Sequence, residues 1–322
     1  LMQLTRSNIT HPLVKDIASG ILYSVLIFVV MLTIPLIGLF AWVLLPLPLL
    51  FYRLKIGRHA GAVILAVSIA IVALLTGSLI VNGLYLGSLM LTGLFLGECI
   101  EKNLRIEKTM IYTGLGLAGL FAFSLFFAAL VQSQGIDQLV TGYIARYQAV
   151  SNAFFEEFAR QYPDLGMDRQ VFEQTSILFM TVLPSVLVCT YLCLALLNIL
   201  LIRRLLKRHS IVLKQFEHLN RWQADDKLVF VFIGLSLMMF AASGGIKILL
   251  VNCLIIVSAV YFFQGLAIAS YFFDKKQVPF LIKSFFFVLI AIQPFFMMMV
   301  VGCGLFDTWI NFRKIDTEVK RT

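Results

Sequence analysis

The chain has 322 residues, of which 60% are hydrophobic and only 13% charged, with 26 Lys and Arg against 17 Asp and Glu for a net charge of +9. Soluble domains carry about 25% charged residues, and so few polar groups cannot cover a soluble core of this length. That excludes a soluble enzyme, a disordered chain, a coiled coil and a disulfide scaffold. It leaves an all-α polytopic transmembrane helical bundle.

An apolar stretch of roughly 17–25 residues crosses the hydrocarbon core. In chain order the candidates are 17–34, 36–52, 60–81, 83–97, 109–132, 175–202, 228–243, 248–273 and 280–306. Pro35, Gly38, Pro46 and Pro48 interrupt 17–52 and predict a tight helical hairpin there. The 83–97 and 228–243 segments are short, so eight to ten spans are expected. The first apolar run lacks a small-residue cleavage site, and no cleavable signal peptide is expected. The organisation read from this pattern is an N-terminal transmembrane bundle over 1–132, an extracytoplasmic amphipathic loop over 133–174, and a C-terminal transmembrane half over 175–322 with a basic cytoplasmic loop at 203–227.

Orientation follows from the positive-inside rule. With a cytoplasmic N-terminus, seventeen of the 26 basic residues fall inside, among them Arg53, Lys55, Arg58, Lys102, Arg203, Arg204, Lys207 and Lys275. The 133–174 loop then lies outside, with three basic residues against six acidic ones. The excess charge therefore reports topology in a bacterial inner membrane, and no nucleic-acid partner is expected. Within that loop Leu139, Val140, Tyr143, Ile144, Tyr147, Val150, Phe154 and Phe158 recur at helical period and predict an amphipathic helix at the outer interface. Residues 203–221 are expected to continue the preceding span as a basic cytoplasmic helix.

The motif Gly114-Leu-Gly-Leu-Ala-Gly119 matches a dinucleotide fingerprint in letters. It lies inside an apolar run, not between a strand and a soluble helix, so it carries no nucleotide. No phosphate-binding loop, no HExxH and no Ser-His or Cys-His arrangement occurs, and the five cysteines and four histidines are scattered. No enzyme activity, cofactor or metal is expected. The small-residue pairs Gly83/Gly87 and Gly93/Gly97, and the run Ala62, Ala66 and Ala70, predict close helix packing, since small side chains drive association in lipid.

Polar groups at membrane depth are costly and are the default functional candidates. Asn82, Glu98, Asn198, Lys247 and Lys283 lie near span ends, leaving Asn252, Gln264 and Gln293 as candidate ligand contacts. The closing motif Gly304-Leu-Phe-Asp-Thr-Trp-Ile-Asn-Phe-Arg-Lys314 adds Asp307, Trp309 and Arg313. As a continuous helix it places Trp309 and Arg313 on one face and Asp307 and Asn311 on another.

These residues carry a resemblance. Leu183-Pro184 with Asn198 and Arg203-Arg204, then Phe216 and Trp222, Asn252, Gln264-Gly265-Leu266-Ala267 and the closing motif resemble the YybS-like family of bacterial multi-pass membrane proteins. That family is distantly similar to the substrate-capture subunits of energy-coupling-factor transporters. The resemblance implies a helical bundle that binds a small molecule while separate subunits supply ATP hydrolysis. The expected partners are the bilayer, a small-molecule ligand, and a membrane-protein subunit or second copy. The leading expectation is a protein of transporter-like class that binds a small solute or lipid within the bundle, without catalysis of its own. The rival is a structural or regulatory subunit acting through protein partners.

Overall fold

The computed structural model describes residues 10–77, 84–131, 135–163, 166, 168–208, 213, 216 and 219–314. They form twelve α-helices and no strand: α1 Thr10–Thr33, α2 Pro35–Leu44, α3 Pro46–Ile56, α4 Arg58–Thr76, α5 Leu84–Glu101, α6 Ile106–Val131, α7 Ile136–Gln161, α8 Arg169–Arg208, α9 Lys227–Ala241, α10 Gly244–Lys275, α11 Phe280–Ile292 and α12 Pro294–Ile310. Prolines set several of the starts. Pro35, Pro46 and Pro294 open α2, α3 and α12, where a missing N–H leaves no intrahelical acceptor unpaired.

The chain is a membrane protein of several apolar helices. Leu13–Thr33, α4, α8 and α10 are each long and apolar enough to cross a membrane, and α11 with α12 make a fifth if the pair counts as one broken span. Four or five such helices are found among the described residues, where the sequence led us to expect eight to ten spans. Breaks shorten several of the candidate runs, whereas most of 109–132 lies in the unbroken 26-residue α6. Pro46 splits 36–52 into helices of 10 and 11 residues, about half of what the hydrocarbon core requires. Helix α9 has only 15 residues, and 280–306 bends by 104° between α11 and α12.

The helices sort into two compact units that do not follow chain order. Unit 1 combines Leu1–Ala128 with Thr190–Glu217, and unit 2 combines Ala129–Cys189 with His218–Thr322. In unit 1 a core of Phe28, Leu45, Leu49, Tyr52, Ile64, Val72, Leu86, Leu89, Met90 and Leu194 joins α1, α3, α4, α5 and the later part of α8. In unit 2, α10 is the centre, meeting α9 and α12, and α11 packs on α12. The amphipathic helix expected over 136–158 is α7, which rests on the first part of α8. Ser151 and Ser176 share a 2.9 Å hydrogen bond, and the Tyr147 and Phe179 rings stack at 6.2 Å.

The basic segment 203–221 is not one helix. Helix α8 stops at Arg208, and the Arg203 guanidinium holds the carbonyl of Phe216 at 2.6 Å. A 3-10 turn at Leu219–Arg221 then leads toward α9.

Candidate functional site

Two polar assemblies lie in unit 2. The first is built on Pro184, inside α8. An interior proline lacks its own N–H and its ring crowds the preceding turn, which opens the local ladder. Here Asn252 of α10 fills the opening. Its Nδ2 donates to the Thr181 carbonyl, and its Oδ1 accepts the Ser185 N–H, both at 2.9 Å. Those two backbone groups are an i, i+4 pair that an unbroken helix would bond to each other. A further bond from Nδ2 to the Ile248 carbonyl completes the amide. The structure therefore places Asn252, expected as a ligand contact, as a bridge across a proline break. Asn252→Leu should cost about 2–6 kcal/mol, because two backbone groups lose partners at about 1–3 kcal/mol each. Adding Pro184→Ala to that variant lets α8 bond itself and should recover most of the loss, read by denaturant unfolding in micelles. A double variant no more stable than the single one would disprove the bridge.

Unit 1 repeats the device at another proline. Asn198 on α8 donates from Nδ2 to the Val43 carbonyl at 3.0 Å. Val43 sits in the last turn of α2, just before Pro46, where carbonyls have no intrahelical donor.

The second assembly contains the buried charges. Helix α12 ends at Ile310 because Asn311 adopts a left-handed φ of 46° and donates its N–H to the Asp307 carbonyl at 2.9 Å. Asn takes that conformation more readily than other side chains. The reversal turns Arg313 back onto Asp307, with Nη2 2.7 Å from Oδ2 and both side chains fully buried. Asp307 Oδ1 accepts the Phe312 N–H at 2.9 Å, and Gln264 of α10 donates from Nε2 to Oδ2 at 3.1 Å.

These side chains also hold the irregular segment 219–226. Arg313 Nη1 donates to the carbonyls of Asn220 and Trp222 at 3.0 and 2.9 Å, and Gln264 Oε1 accepts the Ala224 N–H at 3.2 Å. Non-helical backbone has no ladder of its own, so these side chains supply partners to its polar groups. The sequence put Gln264, Asp307 and Arg313 among its candidates, and the structure brings all three together. It does not bring the others. Trp309 is exposed on the opposite side of α12, and it shares no face with Arg313 because the helix has already ended. Gln293 is exposed at the α11–α12 break, where its backbone N–H bonds the Leu289 carbonyl.

A close helix crossing supports this centre. A Cβ on Gly265 would collide with the Val300 carbonyl, and one on Gly304 with the Tyr261 carbonyl. The backbones of α10 and α12 therefore touch one turn from Gln264 and Asp307. Two buried polar atoms beside the crossing have no hydrogen-bond partner, Tyr261 Oη and Arg313 Nε.

Unit 1 carries a charge cluster that joins two of the positive-inside residues, Arg53 and Arg58, to Glu98 and Glu101. Arg53 of α3 donates to Glu98 Oε2 at 2.6 Å, to both oxygens of Glu101 at 3.1 and 3.3 Å, and to the Leu94 carbonyl at 2.8 Å. Arg58 reaches the same two carboxylates, and Lys102 reaches Glu98. The available signal was Gly97 beside Glu98 and Glu101. A Cβ there would meet Arg53 Cδ at 2.6 Å, so the glycine makes room for the guanidinium.

The Arg53 bond holds the Glu98 carboxyl below the usual glutamate range. Burial pushes Glu101 up, but Arg53 and Arg58 outweigh it and the net direction is again down. A carboxylate depressed in the folded state stabilises above its unfolded pKa, and that stability is lost as pH falls through the folded value. Thermal stability should therefore hold between pH 8 and about 5 and decline below roughly 4.5. Arg53→Gln should flatten that acid limb in a pH series of melting curves.

Of the packing residues, a Cβ on Gly93 would meet the Pro46 carbonyl at 2.6 Å, and one on Gly87 would meet the Ile69 side chain at 3.1 Å. Gly83 and Asn82 lie outside the described residues. Ala62, Ala66 and Ala70 do not pack internally. They are exposed, while α4 buries Ala60, Gly61, Ile64, Ser68 and Val72 instead. Ile64 and Val72 on that neighbouring stripe remove more apolar area from contact with solvent than alanines would. Among the described residues no group of His, Cys, Asp and Glu could hold a metal ion.

No curated protein and no solved structure matches the chain. A family match covers residues 21–308, from within α1 into the Asp307 motif. The chain belongs to the family described as Predicted membrane protein (DUF2232).

Proposed function

We propose that this is a transporter-like protein of the bacterial cytoplasmic membrane, the inner membrane, with its N-terminus in the cytoplasm, that binds a small solute or lipid within unit 2 without catalysis of its own. The observation that carries the reading is the Asp307–Arg313 pair, fully buried and knitted through Gln264 to the irregular 219–226 segment. Ionisable groups inside membrane proteins are retained mainly where solutes or ions are handled. The broken pair α11–α12 in the same unit supports it, because transporters place discontinuous helices beside their binding sites. The bias of basic residues supports the orientation, and the resemblance to YybS-like proteins and energy-coupling-factor substrate-capture subunits supports the class.

The test is a thermal-shift screen in nanodiscs against phospholipids and small polar solutes, followed by uptake into vesicles. A solute present at about 100 times its Kd stabilises by about 2.7 kcal/mol, and Gln264→Leu should abolish that gain. A panel with no Gln264-dependent shift would sink the reading.

The exposed stripe of Ala62, Ala66 and Ala70 favours a second reading, a structural or regulatory subunit acting through a partner helix or a second copy. A shallow surface recess lined by Ala70, Ala73, Leu74 and Gly77 continues it. Ala66→Leu adds bulk at an exposed position, so the chain's own stability should move by less than about 0.5 kcal/mol. A native-membrane complex that survives Ala66→Leu would count against this reading.

A further inference from the structure

Helix α4 carries charge at one end and small side chains along one side. Arg58 opens the helix, which is long and apolar enough to cross the membrane, so this cation lies where hydrocarbon gives way to headgroups. Ala62, Ala66, Ala70, Ala73 and Gly77 follow at steps of three or four residues. With Arg58 they keep to about a third of the helix circumference. The small side chains run into the surface recess lined by Ala70, Ala73, Leu74 and Gly77. Exposed Val63, Val67 and Leu74 bound this furrow on one flank. Ala70 lies about 18 Å along the axis from Arg58, close to the roughly 15 Å depth of one leaflet's hydrocarbon.

The charged end is a fixed assembly. Arg53, only 6% exposed, holds Glu98 Oε2 and both oxygens of Glu101. Glu98 Oε1 then takes Arg58 Nη2 at 3.4 Å and Lys102 Nζ at 3.2 Å, and Glu101 Oε2 takes Arg58 Nε at 2.6 Å. Two cations thus converge on one carboxylate oxygen while their side chains stay 59% and 60% exposed. Their other N–H groups are open to an external acceptor. Lys55 pairs with Asp16 at 2.8 Å, which brings the start of the span Leu13–Thr33 to the same level. The segments 15–16, 53–58 and 98–108 together hold seven Lys and Arg against four carboxylates. A positive surplus at headgroup level, continuous with an apolar furrow one leaflet long, fits an anion that carries its own acyl chain. A soluble acidic protein or a nucleic acid would use the charge and leave the furrow empty.

We propose that this face of unit 1 binds one anionic phospholipid, its phosphate on Arg58 and Lys102 and one acyl chain along Ala62, Ala66 and Ala70 into the recess. Arg53 is a positioning residue, because it fixes the carboxylates that aim the two cations. The site belongs to unit 1 and does not depend on what the Asp307 centre of unit 2 binds. A lipid seated here occupies the surface on which the partner-helix reading depends.

Lipid titration tests the site. The full chain, delipidated in dodecyl maltoside, is titrated with phosphatidylglycerol and with phosphatidylcholine of the same chains, and bound lipid is counted by native mass spectrometry. Each Lys or Arg beside an anionic lipid adds roughly fivefold in affinity, so phosphatidylglycerol should bind one per chain and roughly 25-fold tighter than phosphatidylcholine. Arg58→Gln with Lys102→Gln should bring that ratio to within about threefold, and Lys102→Gln alone, which leaves the Arg58–Glu101 bond intact, should cost roughly fivefold. Ala70→Phe fills the furrow and should weaken both lipids without changing their ratio. Arg169→Gln removes a cation that is also 59% exposed, in unit 2, and should change neither lipid. Equal affinity for the two lipids overturns the proposal, as does a preference that survives loss of Arg58 and Lys102 or falls equally with Arg169→Gln. Displacement of phosphatidylglycerol by an equal concentration of sn-glycerol 1-phosphate also overturns it, by showing a site for free phosphate. Parent affinity in Ala70→Phe overturns it by taking the acyl chain off α4.

Discussion

Arg313→Met is expected to destabilise the protein by about 3–5 kcal/mol, the usual cost of stripping one partner from a buried ion pair. The change leaves the Asp307 carboxylate buried without its cation and removes the donor from the Asn220 and Trp222 carbonyls. The loss should appear as a lower midpoint in SDS unfolding, with the far-ultraviolet helix signal retained before the transition. Adding Asp307→Leu to the same chain removes the uncompensated charge, so the double variant should be more stable than Arg313→Met alone. It should not regain the parent value, since the two carbonyls stay unpaired. A single variant that unfolds with the parent would show that the pair contributes little and that 219–226 is held by other contacts.

Gly304→Leu should be comparably severe. Its Cβ would meet the Tyr261 backbone, which has no rotamer to move aside, so α10 and α12 must separate. Overpacking typically costs about 1–3 kcal/mol and more where backbone must shift. Separation also pulls Asp307 from Gln264, so part of the ion-pair network is lost with it. Gly302, two residues earlier on the same helix, is the internal control. A Cβ there has nothing within 4 Å, so Gly302→Ala should be neutral or stabilising by up to about 1 kcal/mol from helix propensity. Comparable losses at both glycines would mean that flexibility of α12, not the crossing, sets stability.

The class of this protein was legible because composition and apolar run length are one-dimensional properties. Helix starts at Pro35, Pro46 and Pro294 were legible for the same reason, since proline acts on its own turn. What residues at depth contact was not. Helical periodicity tells which side chains share a face of one helix, not which neighbour that face meets. Asn252 stood out as a costly polar group, but its task depends on Pro184, 68 residues away in sequence. Arg53 looked like one of many positive-inside charges until Glu98 and Glu101 were brought to it across more than 40 residues. The Trp309–Arg313 pairing failed at a single dihedral, the left-handed Asn311, which no spacing rule reports. The 104° bend at Gln293 was also invisible, because Pro294 is as compatible with a kinked span as with a sharp break.

Helix α8 supplies residues to both units, its part up to Cys189 to one and from Thr190 onward to the other. Each unit is thus assembled from two stretches of chain that alternate in order of synthesis. The Val43 carbonyl waits for Asn198, more than 150 residues later on the growing polypeptide, before it gains its side-chain donor. Unit 1 therefore cannot close until a segment made after the first part of unit 2 has entered the bilayer. A break in the gene between codons 128 and 190 would divide both units at once, so neither encoded fragment should accumulate unless the two are made together.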